Sequence, residues 1–233
     1  MPERLGEALL ELDAVTRRLR VDCPWDRDQD ERSIVPHTVE EAYELADAAH
    51  SGDDAKLRDE LGDVLFQVYF LSLLLEERGS GDLAEVARGM TEKLVRRHPH
   101  VFGEDLGSLP TQARTPSEVR RNWDAIKQSE PGGGEPFGSV PENLPALLYA
   151  RKLQRRAAGG DEVSPWEALS NVARAVGQAE RSVAAEGDRD AGFAGVGELL
   201  FACVELARAA GVDPELALRR RADEFRARAG STT

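Results

Sequence analysis

The stretch that most limits what this chain can become is Leu61 to Leu75, LGDVLFQVYFLSLLL, which is apolar almost all the way round a helix. A helix of that kind has to be enclosed by others, so a bundle with this segment at its centre is expected. Yet Glu60, Asp63 and Gln67 fall at i, i+3 and i+7, one line along its side. An ionised carboxylate in apolar surroundings is costly unless a cation meets it. No Lys or Arg lies between Leu61 and Glu77. Upstream, a helix is expected from N-cap Thr38, with Glu41 closing a capping box, to about Ala49. Its apolar stripe is Val39, Ala42, Tyr43, Ala46 and Ala49, and Glu40, Glu41 and Glu44 lie off it. The short break Ser51 to Lys56 makes the two helices an antiparallel hairpin, which can bring Glu41 and Glu44 opposite Glu60 and Asp63. Carboxylates converging without a base predict a divalent cation, and all-oxygen donors suit Mg²⁺ or Mn²⁺ rather than zinc. The competing arrangement is an interhelical cluster neutralised by Arg58, Arg78 or a more distant base.

The rest of the chain supports an all-α reading. Leu5, Ala8, Leu9, Leu12, Val15 and Leu19 mark an amphipathic helix. It gives way to Cys23-Pro24-Trp25-Asp26, read as a loop in which Trp25 either plugs the core edge, the simpler reading of the loop alone, or offers a flat surface to a ligand. A third amphipathic helix spans about Asp82 to Arg97, with Leu83, Val86, Met90 and Leu94 on one face and Lys93 and Arg97 one turn apart. His98-Pro99-His100 ends it, a pattern more often structural than metal-binding. Glu104 to Pro116 reads as loop. Thr115, Pro116 and Glu118 then open a helix to about Gln128 that carries Trp123 and Lys127 one turn apart. The Gly/Pro-rich run from Ser129 to Gly138 marks a boundary, dividing the chain into 1–128, a linker 129–143, and 144–233. Helices are expected over Leu144–Ala158, Pro165–Ala185, Ala194–Ala210 and Pro214–Ala229, and no stretch alternates as a strand would.

Composition narrows the function. The 233 residues carry a net charge of −13, and such a field opposes binding to nucleic acid or an anionic membrane. The longest apolar run is short of a membrane span and holds Asp63 and Gln67. The N-terminus lacks the apolar core of a signal peptide, and two distant cysteines, Cys23 and Cys203, suit a reducing compartment. A cytoplasmic protein is expected.

The chain also holds a weak duplication. Leu61-Gly62-Asp63-Val64-Leu65-Phe66 is matched by Val196-Gly197-Glu198-Leu199-Leu200-Phe201. In the second copy Gly195 stands for Glu60, Glu198 for Asp63, Glu180 for Glu44, Gly177 for Glu41, Val176 for Glu40 and Glu224 for Lys93. The apolar positions persist while most of the carboxylates are gone, so this copy is expected to fold without the same metal site.

In order along the chain, Cys23-Pro24-Trp25-Asp26 with Gln29, Glu40-Glu41-Ala42-Tyr43-Glu44, a gap of fifteen residues, Glu60-Leu61-Gly62-Asp63, Lys93 to Phe102 and Trp123 to Lys127 resemble the MazG family of nucleoside triphosphate pyrophosphohydrolases. The likeness runs through LPALLYARKLQRRA into the second half. It implies two tandem MazG-like helical bundle domains, the first catalytic and the second degenerate and serving as scaffold or dimerisation surface. It implies Mg²⁺ on Glu41, Glu44, Glu60 and Asp63, with Glu40 orienting water. Lys93, Arg97 and Lys127 would face the phosphates, and Trp25 and Trp123 would support the substrate. The implied reaction is NTP + H₂O → NMP + pyrophosphate by a homodimer. The alternatives are a nucleotide-binding regulatory module without turnover, or a related pyrophosphatase acting on dUTP, dCTP or phosphoribosyl-ATP.

Overall fold

The computed structural model describes residues 2–103, 113–130, 137, 140–158, 163–184 and 188–230. Most of the expected loop Glu104–Pro116, and parts of the linker 129–143 and of the break at Gly159–Ser164, lie outside them. All regular structure among the described residues is helical, and no helix there is long and apolar enough to cross a membrane. The chain divides into two compact units, Met1–Thr111 and Gln112–Thr233. The helix that carries Trp123 and Lys127, placed before the linker on sequence, therefore groups with the second unit.

The first unit contains α1 (Pro2–Asp22), α2 (Pro24–Arg27), α3 (Glu31–Ser51), α4 (Asp54–Glu77), α5 (Leu83–Arg97) and α6 (Pro99–Phe102). Helix α3 begins at Glu31, well before the start expected at Thr38. Its true cap is Asp30, whose Oδ1 accepts from the Ser33 amide at 2.8 Å while Ser33 Oγ accepts from the Asp30 amide at 2.9 Å. Pro36 is carried inside the helix near its start, where it forfeits a single backbone donor. Thr38 is thus an interior residue, its hydroxyl 3.3 Å from both the Ile34 carbonyl oxygen and Gln67 Oε1.

Gly52, in the left-handed conformation at φ 73°, ends α3, and the Asp53 carboxylate caps α4 by accepting from the Ala55 and Lys56 amides. The hairpin is antiparallel, as expected. At its open end Ile34 packs with Phe70 and Leu74, with Phe66 and Leu71 against them. One turn further along α3, Thr38 meets Gln67. The same register carries Glu41 to the level of Asp63 and Glu60. Only the C-terminal half of α4 is enclosed, by burial of Tyr69, Phe70, Leu73 and Leu74. Leu61, Leu65 and Val68, in its middle turns, are 51%, 37% and 40% exposed, so enclosure on all sides is not achieved within one chain. Val86, Met90 and Leu94 of α5 are exposed as well.

Helix α1 is fastened to α4 by polar contacts. The Tyr69 hydroxyl donates to the Leu9 carbonyl at 3.2 Å, and Arg17 forms a bidentate pair with Glu76 at 2.6 and 3.0 Å. Arg20 does more. Its Nε and Nη2 donate to the two Glu77 oxygens at 2.8 Å each, and its Nη1 lies 2.6, 3.0 and 3.0 Å from the carbonyl oxygens of Asp26, Arg27 and Gln29. Its guanidinium carbon is 5.8 Å from the centroid of the buried Phe70 ring. One side chain therefore joins α1, α4 and the turn after Cys23. That turn is a single helical turn, α2, opened by Pro24 at its first position rather than a loop.

In the second unit are α7 (Pro116–Ser129), α8 (Ala146–Ala157), α9 (Pro165–Ala184), α10 (Arg189–Ala209) and α11 (Pro214–Gly230). Thr115 and Glu118 form the capping box expected of α7. Helices α9 and α10 repeat the hairpin of α3 and α4, with Ala168, Ala175, Ala179, Ala202 and Val204 buried. Gln154 of α8 donates to the Phe201 carbonyl at 2.7 Å, and Arg151 pairs with Asp213, which caps α11. At Gly195 a Cβ would stand 2.7 Å from Ser182 Cβ and 3.2 Å from Ala179 Cα. The two helices thus touch where the first unit holds Glu60.

Replacing Arg20 by Ala should cost on the order of 2–3 kcal/mol, because Glu77 and three carbonyls lose a charged donor together. Arg20→Lys should recover only part of this, since an ammonium cannot match the planar fork. Urea unfolding of the three proteins measures both values.

Candidate active site

Helix α3 presents Glu41 and helix α4 presents Glu60 and Asp63, so that one oxygen from each lies within 4.8 Å of the others. Glu60 is only 8% exposed, Glu41 is half-buried and Asp63 faces solvent. Burial pushes the Glu41 carboxyl above its ordinary range, and the charges of Asp63, Glu44, Glu60 and Glu40 add to the shift. Burial likewise raises Glu60, helped by Glu44, Asp63 and Asp59 and opposed by Lys56. Glu44 is therefore close enough to act on both partners. Among the described residues, no Lys or Arg stands at ion-pair distance from Glu41, Glu44, Glu60 or Asp63. Arg78, one proposed neutraliser, is engaged by Glu31 at 2.9 Å.

Three hard oxygen donors crowded together, two of them, Glu41 and Glu60, holding protons more tightly than usual, suit a divalent cation with oxygen coordination. Glu40 points elsewhere: its Oε2 is 3.7 Å from His37 Nδ1 and its side chain is largely exposed. Lys93 is exposed and Arg97 half-buried at the end of α5. Trp123 and Lys127 are half-buried, one turn apart on α7, in the second unit. His98 and His100 have ring centroids 5.6 Å apart, with His98 Nδ1 2.7 Å from the Leu94 carbonyl oxygen, so that ring nitrogen serves the helix end.

Trp25 does not plug the core edge. It is 52% exposed, and its ring meets His37 edge-on with centroids 5.9 Å apart. Gln29 donates from Nε2 to the Trp25 carbonyl at 2.8 Å. Two residues, His37 one turn from Glu41 and Arg20 beneath the Trp25 turn, escaped the sequence reading. His37 had a local signal, since it stands one turn ahead of Glu40 and Glu41. Arg20 had none, because its partners are either backbone carbonyls or far along the chain.

A helical hairpin that gathers carboxylates from both its helices defines an all-α protein with an acidic, metal-suited centre. Residues 29–102 match the MazG nucleotide pyrophosphohydrolase domain and lie wholly within the first unit. A nucleoside triphosphate pyrophosphohydrolase of Escherichia coli K12 is 37% identical over 216 residues, 88% of this chain and 78% of that protein. A nucleoside triphosphate pyrophosphohydrolase/pyrophosphatase MazG of Thermotoga maritima is 35% identical over 224 residues, 92% of this chain and 81% of its own. A Mycobacterium tuberculosis nucleoside triphosphate pyrophosphohydrolase is 34% identical over 154 residues, covering 65% of this chain and 45% of that protein. The chain belongs to the MazG family.

Because Glu60 binds its proton more tightly folded than unfolded, its ionisation destabilises the metal-free protein, and the penalty vanishes as pH falls through the raised pKa. In EDTA, Glu60→Gln should therefore melt above the native chain near neutral pH, and the gap should close on acidification. Adding Mg²⁺ should raise the native melting temperature and leave Glu60→Gln unmoved. Thermal melts across pH and metal concentration provide the check.

Proposed function

We propose that the first unit hydrolyses nucleoside triphosphates to the monophosphate and pyrophosphate with Mg²⁺, and Mn²⁺ as a substitute. The observation that carries this is the convergence of Glu41, Glu60 and Asp63 with Glu44 at their side and no described Lys or Arg at ion-pair distance. The family and the printed activities of the three relatives supply the reaction class. Glu41, Glu44, Glu60 and Asp63 would hold the metal. A bound divalent ion supplies neutralising charge for the polyphosphate and lowers the pKa of a coordinated water. Glu40, whose carboxylate faces His37 in this structure, would have to turn toward the cluster to orient the attacking water. Lys93 and Arg97 would contribute fixed positive charge to the phosphates, and Trp25 would support the substrate. Water cleaves the bridge between the α- and β-phosphorus atoms: its oxygen joins one of them, the bridging oxygen leaves on the other, and the proton released passes to solvent, giving monophosphate and pyrophosphate.

The second unit serves as scaffold: Gly195 lets α10 press against α9, leaving no gap where Glu60 would stand. A homodimer in the cytoplasm fits the exposed Leu61, Leu65 and Val68 of α4 and the exposed Val86, Met90 and Leu94 of α5, which a second copy would cover. The two cysteines are unpaired, in keeping with a reducing compartment.

Incubated with Mg²⁺ and each nucleoside triphosphate, the purified chain should release monophosphate and pyrophosphate in equal amounts. Glu60→Gln should lower kcat/KM by about 100-fold or more, since even outer-shell losses at metal sites cost roughly 10–100-fold. Orthophosphate and diphosphate as products would refute the assignment. Light scattering should give twice the chain mass, and Leu65→Glu, placing a charge in the exposed stripe, should yield monomers.

A further inference from the structure

Helix α4 carries Gln67 in the same file as Glu60 and Asp63, one turn beyond Asp63 and about 6 Å further along the axis. Gln67 is 6% exposed, and the turns that follow it bury Phe70, Leu73 and Leu74. A primary amide brings two N–H donors and an acceptor into that setting, and buried polar groups of this kind are normally paired. The acceptor has a partner: Oε1 lies 3.3 Å from the Thr38 hydroxyl of α3, which the Ile34 carbonyl oxygen shares at the same distance. Nε2 makes no hydrogen bond among the described residues, and it is not sealed from solvent.

The second hairpin does without this amide. In the register that pairs Gly195 with Glu60 and Glu198 with Asp63, Ala202 stands for Gln67 and is buried as well. In the register that pairs Gly177 with Glu41, Arg174 stands for Thr38, exposed and turned to Asn171. Both members of the polar pair are thus missing from the hairpin that has lost most of its carboxylates. An alanine fills the place and leaves no donor to satisfy, so packing alone does not account for the amide in the first hairpin.

An amide four residues from a carboxylate on one helix face is placed to hydrogen-bond with it. A carboxylate that ligates a metal is oriented by the donors that meet its oxygens. Resting on the metal-centre reading above, we propose that Gln67 is the positioning residue for Asp63. Thr38 fixes the amide through Oε1, and Nε2 donates to the Asp63 oxygen turned from the cation. That bond is absent from the present side-chain arrangement and would form when a cation draws Asp63 in. Asp63 is the exposed member of the acidic set, and the one in most need of a fixed partner. Glu60, by contrast, is confined by its burial.

Calorimetric titration of the full chain with Mg²⁺, paired with urea unfolding in EDTA, tests this. Gln67→Met keeps the length of the side chain and removes the amide. It should weaken Mg²⁺ binding about 10- to 100-fold, the scale seen when a metal ligand loses its hydrogen-bond partner. In EDTA the same variant should unfold at the native urea concentration or above it, because a buried polar group has been replaced by an apolar one of similar shape. Thr38→Val should weaken Mg²⁺ binding by a smaller factor, and Thr38→Ser, which keeps the hydroxyl, should bind as the native chain does. A role in packing alone gives the reverse pattern, lower stability in EDTA with unchanged affinity, and that result would overturn the proposal. So would Mg²⁺ affinities within about twofold of native in both Gln67→Met and Thr38→Val, well short of the loss expected for a ligand's partner. Should Gln67→Met fail to fold, the Thr38→Val and Thr38→Ser pair decides the matter. A native chain that takes up no Mg²⁺ would remove the metal centre and the role of Gln67 together. Native binding with silent variants removes Gln67 alone.

Discussion

The register between α3 and α4 is the constraint on which the site depends. Two opposed forces act along one pair of helices. At the open end, Ile34, Phe70 and Leu74 are almost fully buried and draw the helices together. At the end near Gly52, Glu41, Glu60 and Asp63 push them apart with like charge. Apolar burial is not directional, but interdigitated side chains fix which turn faces which, and a slip of one turn would move Glu41 past Asp63. The core at one end of the hairpin therefore sets the carboxylate spacing at the other. Thr38 and Gln67 lie between the two regimes, a polar contact where the apolar packing stops and the acidic centre begins.

How far the site could be read from the chain follows from how local each cause is. The phase of Glu60 and Asp63 in an apolar helix is a local property, and it survives in the structure. The start of α3 is also local, but two signals compete. Thr38 with Glu41 satisfies the capping pattern as well as Asp30 with Ser33 does, and Pro36 between them looks like a stop. The upstream pair prevails because a helix from Glu31 buries Ile34 against Phe70, a gain visible only once α4 is in place. Arg20 lies at the opposite extreme. Its partners Glu77 and Phe70 are fifty or more residues away, and three others are backbone carbonyls, which carry no sequence signature. The core-plug reading of Trp25 fails for the same reason: whether an indole is buried or held out depends on the clamp beneath it.

The exposed stripe Leu61, Leu65, Val68 marks a further limit of single-chain reasoning. An apolar surface round a helix demands cover, but does not say whether the cover comes from the same chain. The C-terminal half of α4 finds it within the unit, under α1 and α3. The N-terminal half, which bears Glu60 and Asp63, does not. The acidic centre is thus carried on the part of the helix least supported by its own chain.

The second hairpin shows what the architecture needs when the chemistry is removed. Helices α9 and α10 keep the antiparallel pairing and small buried residues, Ala168, Ala175 and Ala179, on the facing side. At the position of Glu60 stands Gly195, and the space a side chain would need is taken by Ser182 and the backbone of Ala179. Close contact between backbones gains dispersion energy and no longer has to contend with crowded carboxylates. The helices can approach because nothing charged lies between them. In the first hairpin, by contrast, Glu60 is buried beside Glu41, and burial raises its pKa. A fold that can close this gap with glycine has no structural need for a buried glutamate there. Glu60 in the first unit therefore fits the proposed role in ligand binding, in which a cation at the centre would offset the cost of its burial.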